Sequence, residues 1–207
     1  MALPDIQFAI HIDKMTSSIY LVLDMMNDLV HADGPSAGSP YGVQVRERKV
    51  IPKTAAAIAK ARAADVHVGF VRVGFSADYR ECPPKSPIFS RVPQSGLFKL
   101  ETWGTEVHPD LAPQPGDFDF VKQRVSPFHG TNLDLVLRTQ GISRIYCSGI
   151  STNAVVQAMV REGHDRDYEI VVLEDCCCAL SEQEHTTSIE GLRRFCSFVT
   201  SESVVFT

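Results

Sequence analysis

The stretch from Arg144 to Asp175 constrains the fold more than any other. Arg144-Ile-Tyr-Cys-Ser-Gly-Ile150 is a short apolar run rich in β-formers, Ser151 to Gly163 has helical spacing, and Glu169-Ile-Val-Val-Leu-Glu-Asp175 is apolar again. Continuous apolar strands have both faces covered, and two of them joined through a helix lie parallel in one sheet. The same grammar runs along the rest of the chain. Ile19-Tyr-Leu-Val-Leu-Asp24, Val66 to Val73, Asp117-Phe-Asp-Phe-Val-Lys122 and Ser197 to Thr200 read as further strands. Val45 to Ala64, with Pro52 in its first turn, Leu133 to Thr139, and Ser181 to Phe195 read as helices. Right-handed crossovers leave one economical arrangement. It is a doubly wound α/β domain, a mostly parallel sheet of five to six strands with helices on both faces.

Two segments fall outside this pattern. Asn27 to Gly42 is polar and rich in Gly and Pro, a loop after the first strand; Phe75 to Pro115 holds more than half of the chain's 12 prolines and reads as an irregular excursion over one face. Residues 1–17 read as an N-terminal extension and 18–207 as a single domain. A chain of 207 residues, 44% hydrophobic, buries enough surface to need no staple. Asp5, His11 and Asp13 stand where a signal peptide has an apolar core, and no apolar run is long enough to span a bilayer, so a cytoplasmic location is expected. A net charge of -5 with scattered Lys and Arg gives no footprint for nucleic acid or for an anionic membrane, and neither is expected as a partner. The six cysteines, including the run Cys176-Cys177-Cys178, suit neither a disulfide framework nor paired zinc spacing and read as reduced thiols.

Ligands of open parallel sheets bind beyond the carboxyl ends of the strands. The residues there are Asp24, Val73-Gly74, Lys122, Gly149 to Val155 and Asp175 to Cys178. No glycine-rich phosphate loop follows any strand, which argues against nucleotide cofactors, and no cofactor is expected. Asp24 ends an otherwise apolar strand and needs a cation if it is buried; Lys122, ending another strand, is the leading candidate, with two solvated strand ends as the plain alternative. Gly149-Ile-Ser-Thr-Asn-Ala-Val155 joins a strand to a helix, and the backbone N–H groups of such a first turn favour an anion.

These motifs resemble those of the isochorismatase-like hydrolases, also called cysteine hydrolases. The matching segments are Leu23-Asp24-Met-Met-Asn-Asp28, Lys122 in Phe-Val-Lys-Gln-Arg-Val-Ser-Pro-Phe-His129, Asp134, Gly149-Ile-Ser-Thr-Asn153 and Leu173-Glu-Asp175-Cys-Cys. They occur in order from about residue 18 to 200. The resemblance implies a hydrolase acting on a small molecule through an Asp-Lys-Cys triad, with Asp24 as general base and Lys122 orienting it. The cysteine position of the triad falls on Val155, and a branched alkyl group can neither attack a carbonyl nor carry an acyl group.

Three readings of that change stay open. One is a hydrolase that forms no thioester, as in isochorismatase, where the aspartate protonates a vinyl ether; another is a family member that has become a binding or regulatory protein. The third is an amidohydrolase with a displaced thiol, Cys176 or Cys178. The resemblance further implies substrate contacts from Asn27, Trp103, Phe128, His129, Ser151 and Thr152, and a cis Ile150–Ser151 peptide bond. It implies a homodimer or homotetramer as well. The DxHxxH metal motif of the family's nicotinamidases has no counterpart between Phe75 and Pro115, so no metal is expected. His31 and His129 border the expected cleft as contacts or as packing residues. Arg80, Lys85 and Arg91 would suit a carboxylate-bearing ligand unless they are merely solvated.

Overall fold

The first strand, β1 (Ser17–Leu23), shows why the apolar runs are continuous. Tyr20 and Val22 pack into a core on one face of the sheet, and Ile19, Leu21 and Leu23 into a second core on the other. Alternation of side chains across a strand thus serves two layers of cover instead of one core and solvent. The computed structural model describes residues 17–207. The expected extension 1–17 lies outside the described residues except for Ser17, the first residue of β1.

Beyond β1, the strands are β2 (His67–Val73), β3 (Phe118–Lys122), β4 (Ile142–Gly149), β5 (Glu169–Leu173) and β6 (Ser197–Val199). They form one six-stranded sheet of order β3-β2-β1-β4-β5-β6, parallel at every pair. The winding direction reverses between β1 and β4, the position where open sheets of this kind leave a crevice at their carboxyl edge. Register places the relevant residues there. Leu23 pairs with both Val71 and Gly149, and Val73 pairs with Lys122. Gly149 is required for this approach, because a Cβ on it would stand 2.6 Å from both Leu23 Cβ and Leu23 O.

The helices are α1 (Asn27–Val30), α2 (Pro40–Glu47), α3 (Val50–Ala63), α4 (Val92–Ser95), α5 (Leu133–Thr139), α6 (Gln157–His164) and α7 (Glu182–Leu192). From α3, Ala57, Ile58 and Ala61 cover one face; Leu137 of α5, Val160 of α6 and Leu192 of α7 cover the other. The single helix expected over Val45 to Ala64 is two. It breaks at Arg48 and Lys49, the latter left-handed at φ 55°. A continuous helix would set the Pro52 ring against the carbonyl of Arg48 and leave that carbonyl without its donor, so the chain restarts and keeps Pro52 in the first turn. The preceding helix starts inside the stretch read as loop, where Pro40 opens it and the Ser39 hydroxyl accepts from Gly42 N–H at 3.3 Å.

The helix expected from Ser151 begins as a π-turn, Thr152–Val156, before α6. The Pro-rich excursion holds only α4 and two single 3₁₀ turns, yet it is packed. Its Phe75, Cys82, Phe89, Val92 and Phe98 form a satellite core with Met26 and Val73. Among the described residues no helix is long and apolar enough to cross a membrane.

Candidate active site

Asp24 follows β1 in a left-handed conformation, φ 55°. Its N–H donates to Val71 O at 2.7 Å, which turns the carboxyl group towards the end of β2. There Oδ1 accepts from Val73 N–H at 2.9 Å and Oδ2 accepts from Lys122 Nζ at 2.8 Å. Lys122 is 1% exposed and Asp24 5%, and the ammonium donates again to Arg124 O at 3.1 Å. The pair expected from strand ends alone is therefore made, and it is buried. Burial pushes the Asp24 carboxyl above the usual carboxylate range, outweighing the Lys122 charge and the Val73 N–H that pull it down.

The pair opens into a cavity of about 430 Å³. Ile150, Ser151, Ala154 and Val155 line its inner wall beside Asp24 and Lys122. Val155 faces this cavity and also belongs to the core beneath it. The Ile150–Ser151 peptide bond is cis, as the resemblance implies. The amides of the following turn are largely committed within the fold. Ala154 and Val156 N–H both donate to Ser151 O, at 3.2 and 3.3 Å, and Thr152 N–H donates to Cys178 O at 2.9 Å. These three donors do not form the anion site expected of a free first turn.

The structure gathers only some of the expected contact residues. Ser151 lines the cavity, but Thr152 points away from it, its hydroxyl 2.8 Å from His185 Nδ1. Asn27 is buried and donates from Nδ2 to Trp103 O at 2.8 Å, and Trp103 stands half exposed with its ring edge-on to His31. None of these three residues reaches the cavity lining. Phe128 is a core residue stacked on Tyr168, with Arg166 over its ring. His129 is exposed on a separate shallow surface beside Arg80 and Arg124. A motif places a residue near a strand end; whether its side chain turns into the crevice or into the layer below depends on packing that the motif does not encode.

Sequence reasoning missed most of the opposite wall, formed by Leu29, Tyr41, Ile88, Phe89, Val92 and Phe98. Its signal was present in the apolar residues scattered through a Pro-rich loop, which have to bury against something. Of the three loop cations, only Arg91 lines the cavity; Arg80 pairs with Asp78 instead.

Thiols are absent from the cavity lining. Cys176 and Cys178 sit in the core packed by α3, where burial pushes both thiols up to about 12. A displaced nucleophile gains nothing from these positions. Among the described residues no group of three or more His, Cys, Asp or Glu converges to hold a metal.

A parallel doubly wound sheet with a buried carboxyl–ammonium pair and a cavity at its switch point defines the class of protein. The Isochorismatase domain matches residues 18–203, and the chain belongs to the isochorismatase family. The isochorismatase family protein YecD of Escherichia coli O157:H7 is 34% identical over 173 residues, covering 83% of this chain and 85% of that protein. The ureidoacrylate amidohydrolase RutB of Methylorubrum extorquens is 33% identical over 171 residues, covering 77% of this chain and 68% of that protein. Among solved structures, an isochorismatase family protein from Desulfovibrio vulgaris superposes with a TM-score of 0.80 at 26% identity, covering 91% of this chain and 96% of that one.

Proposed function

We propose that this protein is an isochorismatase-family hydrolase that acts on a small organic molecule without forming a covalent thioester, with Asp24 as the general acid and base. The observation that carries this reading is the cavity itself, in which the buried Asp24–Lys122 pair faces the alkyl side chain of Val155 and no thiol. A raised carboxyl pKa suits an acid that must hold a proton before it delivers one.

Vinyl-ether hydrolysis fits these groups. Asp24 in its acid form protonates the terminal alkenyl carbon, leaving an oxocarbenium ion; water adds to that ion as the Asp24 carboxylate takes its proton. The hemiketal so formed collapses to a ketone and an alcohol. Lys122 orients the carboxyl group and keeps its ionised form bearable between the two proton transfers. Val155 only shapes the wall. The amidohydrolase relative supports hydrolysis as the class of reaction. The thiol route that the resemblance implies for amides lacks its nucleophile here.

The test compares wild type, Asp24→Asn and Val155→Cys against isochorismate and a panel of small primary amides. Turnover of the vinyl ether by wild type and its loss in Asp24→Asn is the expected result. Amide hydrolysis by wild type that thiol alkylation abolishes would overturn it.

A further inference from the structure

We infer that His185 is a positioning residue: from behind the cavity, through the hydroxyl of Thr152, it fixes the turn that carries Ser151, Ala154 and Val155 into the inner wall. The inference rests on the reaction taking place in that cavity, as proposed above, and names what holds the wall beside Asp24 in place.

The turn has little else to hold it. It opens as a π-turn, and two of its amides, Ala154 and Val156 N–H, share the single acceptor Ser151 O. Ser151, Ala154 and Val155 face the cavity on one side. On the other side Thr152 N–H donates to Cys178 O at 2.9 Å, and the Thr152 hydroxyl stands 2.8 Å from His185 Nδ1 of α7. Among the described residues this is the one buried side-chain hydrogen bond that residues 150–156 make; Asn153 also reaches α7, at Glu184, but on the exposed surface.

Arg48, in the break between α2 and α3, fixes His185 in turn. Its guanidinium donates to Cys177 O at 3.0 Å, to Glu182 Oε2 at 2.6 Å and to His185 Nε2 at 2.9 Å. A guanidinium cannot accept, and the Glu174 carboxylate stands further from Nε2 at 3.4 Å, so Nε2 is the acceptor and Nδ1 donates to Thr152. Arg48 thereby chooses the tautomer, and the tautomer supplies the hydrogen that the Thr152 hydroxyl receives. Thr152 and His185 are fully buried and Arg48 largely so, which shields these bonds from competing water. An apolar side chain would fill the place of His185 without tying the turn to α7.

Kinetics and amide hydrogen exchange test the inference on wild type and five variants: Thr152→Val, Thr152→Ser, His185→Leu, the double variant Thr152→Val/His185→Leu, and Ser188→Ala. Thr152→Val removes the hydroxyl and keeps the shape, whereas Thr152→Ser keeps the hydroxyl. Ser188→Ala deletes a different side-chain hydrogen bond of α7, to Glu184 O at 2.7 Å, and controls for lost stability alone. With isochorismate as substrate, Thr152→Val and His185→Leu are each expected to lower kcat about tenfold with KM within about twofold of wild type. Thr152→Ser should recover most of kcat, Ser188→Ala should keep it, and the double variant should fall no further than His185→Leu, because both changes break one link. The Ala154 and Val156 amides should exchange about tenfold faster in Thr152→Val than in wild type, with amides of β1 and β4 changed no more than in Ser188→Ala.

A kcat for Thr152→Val equal to that of Ser188→Ala would overturn the inference, and so would additive losses in the double variant or a Thr152→Ser no better than Thr152→Val. If His185→Leu does not fold, the two Thr152 variants decide. If wild type leaves isochorismate untouched, the reaction proposed above falls and exchange decides alone: faster exchange confined to the turn upholds the role of His185, and unchanged exchange overturns it.

Discussion

Lys122 Nζ lies 2.8 Å from Asp24 Oδ2 across 98 residues of sequence, although their strands, β3 and β1, are not neighbours in the sheet. The ammonium crosses the end of β2, where Val73, in register with Lys122, gives its own N–H to the other carboxyl oxygen. One carboxyl group thus ties together the carboxyl ends of three strands. Breaking such a pair from one side leaves a buried group without its partner, at about 3–5 kcal/mol, whereas replacing both members can cost far less. Asp24→Asn and Lys122→Met should each destabilise the fold, and the double variant should be more stable than the sum of the two losses predicts. Urea denaturation of the four proteins measures the coupling directly.

The same burial fixes the direction of a pH effect. The folded Asp24 pKa is raised above its ordinary value of 3.8, so between the two values the folded state holds a proton that the unfolded chain has released. Stability from this group is fully present below pH 3.8 and is lost as pH rises through the raised folded value. Carbon-13 spectra of labelled aspartate should show one carboxyl resonance titrating above the others, absent in Asp24→Asn. An Asp24 resonance titrating below the rest would contradict the acid role.

How much of this was legible beforehand depends on which interactions are local. Strand ends, and hence Asp24 and Lys122, follow from short apolar runs, whereas the cis bond at Ile150–Ser151 was expected only from the family resemblance. Phe128 and Thr152 were legible as positions but not as directions, because the stacking of Phe128 on Tyr168 and the hydrogen bond between Thr152 and His185 involve partners tens of residues away. The opposite wall of the cavity was hidden for another reason. Phe89 and Phe98 obey no helical or strand period, so nothing in their spacing announces the face they share.

A thiol installed at 155 should behave unlike all six natural ones. The natural thiols of Cys147, Cys176, Cys177, Cys178 and Cys196 are all pushed up by burial, and Cys82 is raised for the same reason. Their thiolate fraction near neutral pH is correspondingly small, and alkylation of the native protein should be slow. Val155→Cys places sulfur on the cavity wall near the Lys122 charge, and should add one rapidly alkylated site, counted by mass spectrometry after a short iodoacetamide pulse. Shrinking a residue that is 2% exposed should cost about 1 kcal/mol of stability, so the variant remains folded for the measurement.

Gly149 predicts a steric failure at the switch point. Leu23 and Gly149 are register partners at the carboxyl ends of β1 and β4, and a methyl group there would press on the Leu23 backbone carbonyl, which has no rotamer to escape into. Gly149→Ala should cost about 2 kcal/mol by forcing the two strand ends apart. The displacement would reach Asp24 on one side and Ile150 on the other, so binding at the cavity should weaken with it. Gly141, where an added Cβ meets nothing within 4 Å but φ is +67°, provides a comparison of backbone strain without collision.

The last prediction concerns the back of the turn that carries Val155. His185 is 2% exposed, with Nδ1 2.8 Å from the Thr152 hydroxyl and Nε2 2.9 Å from Arg48 Nη2. A guanidinium only donates, so the 2.9 Å contact with Arg48 makes Nε2 the acceptor and leaves Nδ1 to donate to Thr152, the Glu174 carboxylate standing further from Nε2 at 3.4 Å. Burial first and the Arg48 charge second lower the His185 pKa, against the pull of Glu174 and Glu182. The folded state therefore binds its proton at lower pH than the unfolded chain does. This contribution to stability is fully present above pH 6.5 and is lost as pH falls towards the folded value. Protonation would also set two cations face to face at the support of the Thr152 turn. Between about pH 7 and pH 5, wild type should lose more melting temperature than His185→Gln, whose amide keeps the hydrogen-bonding shape without the titration. Parallel melting curves for the two proteins would assign the acid sensitivity to other groups.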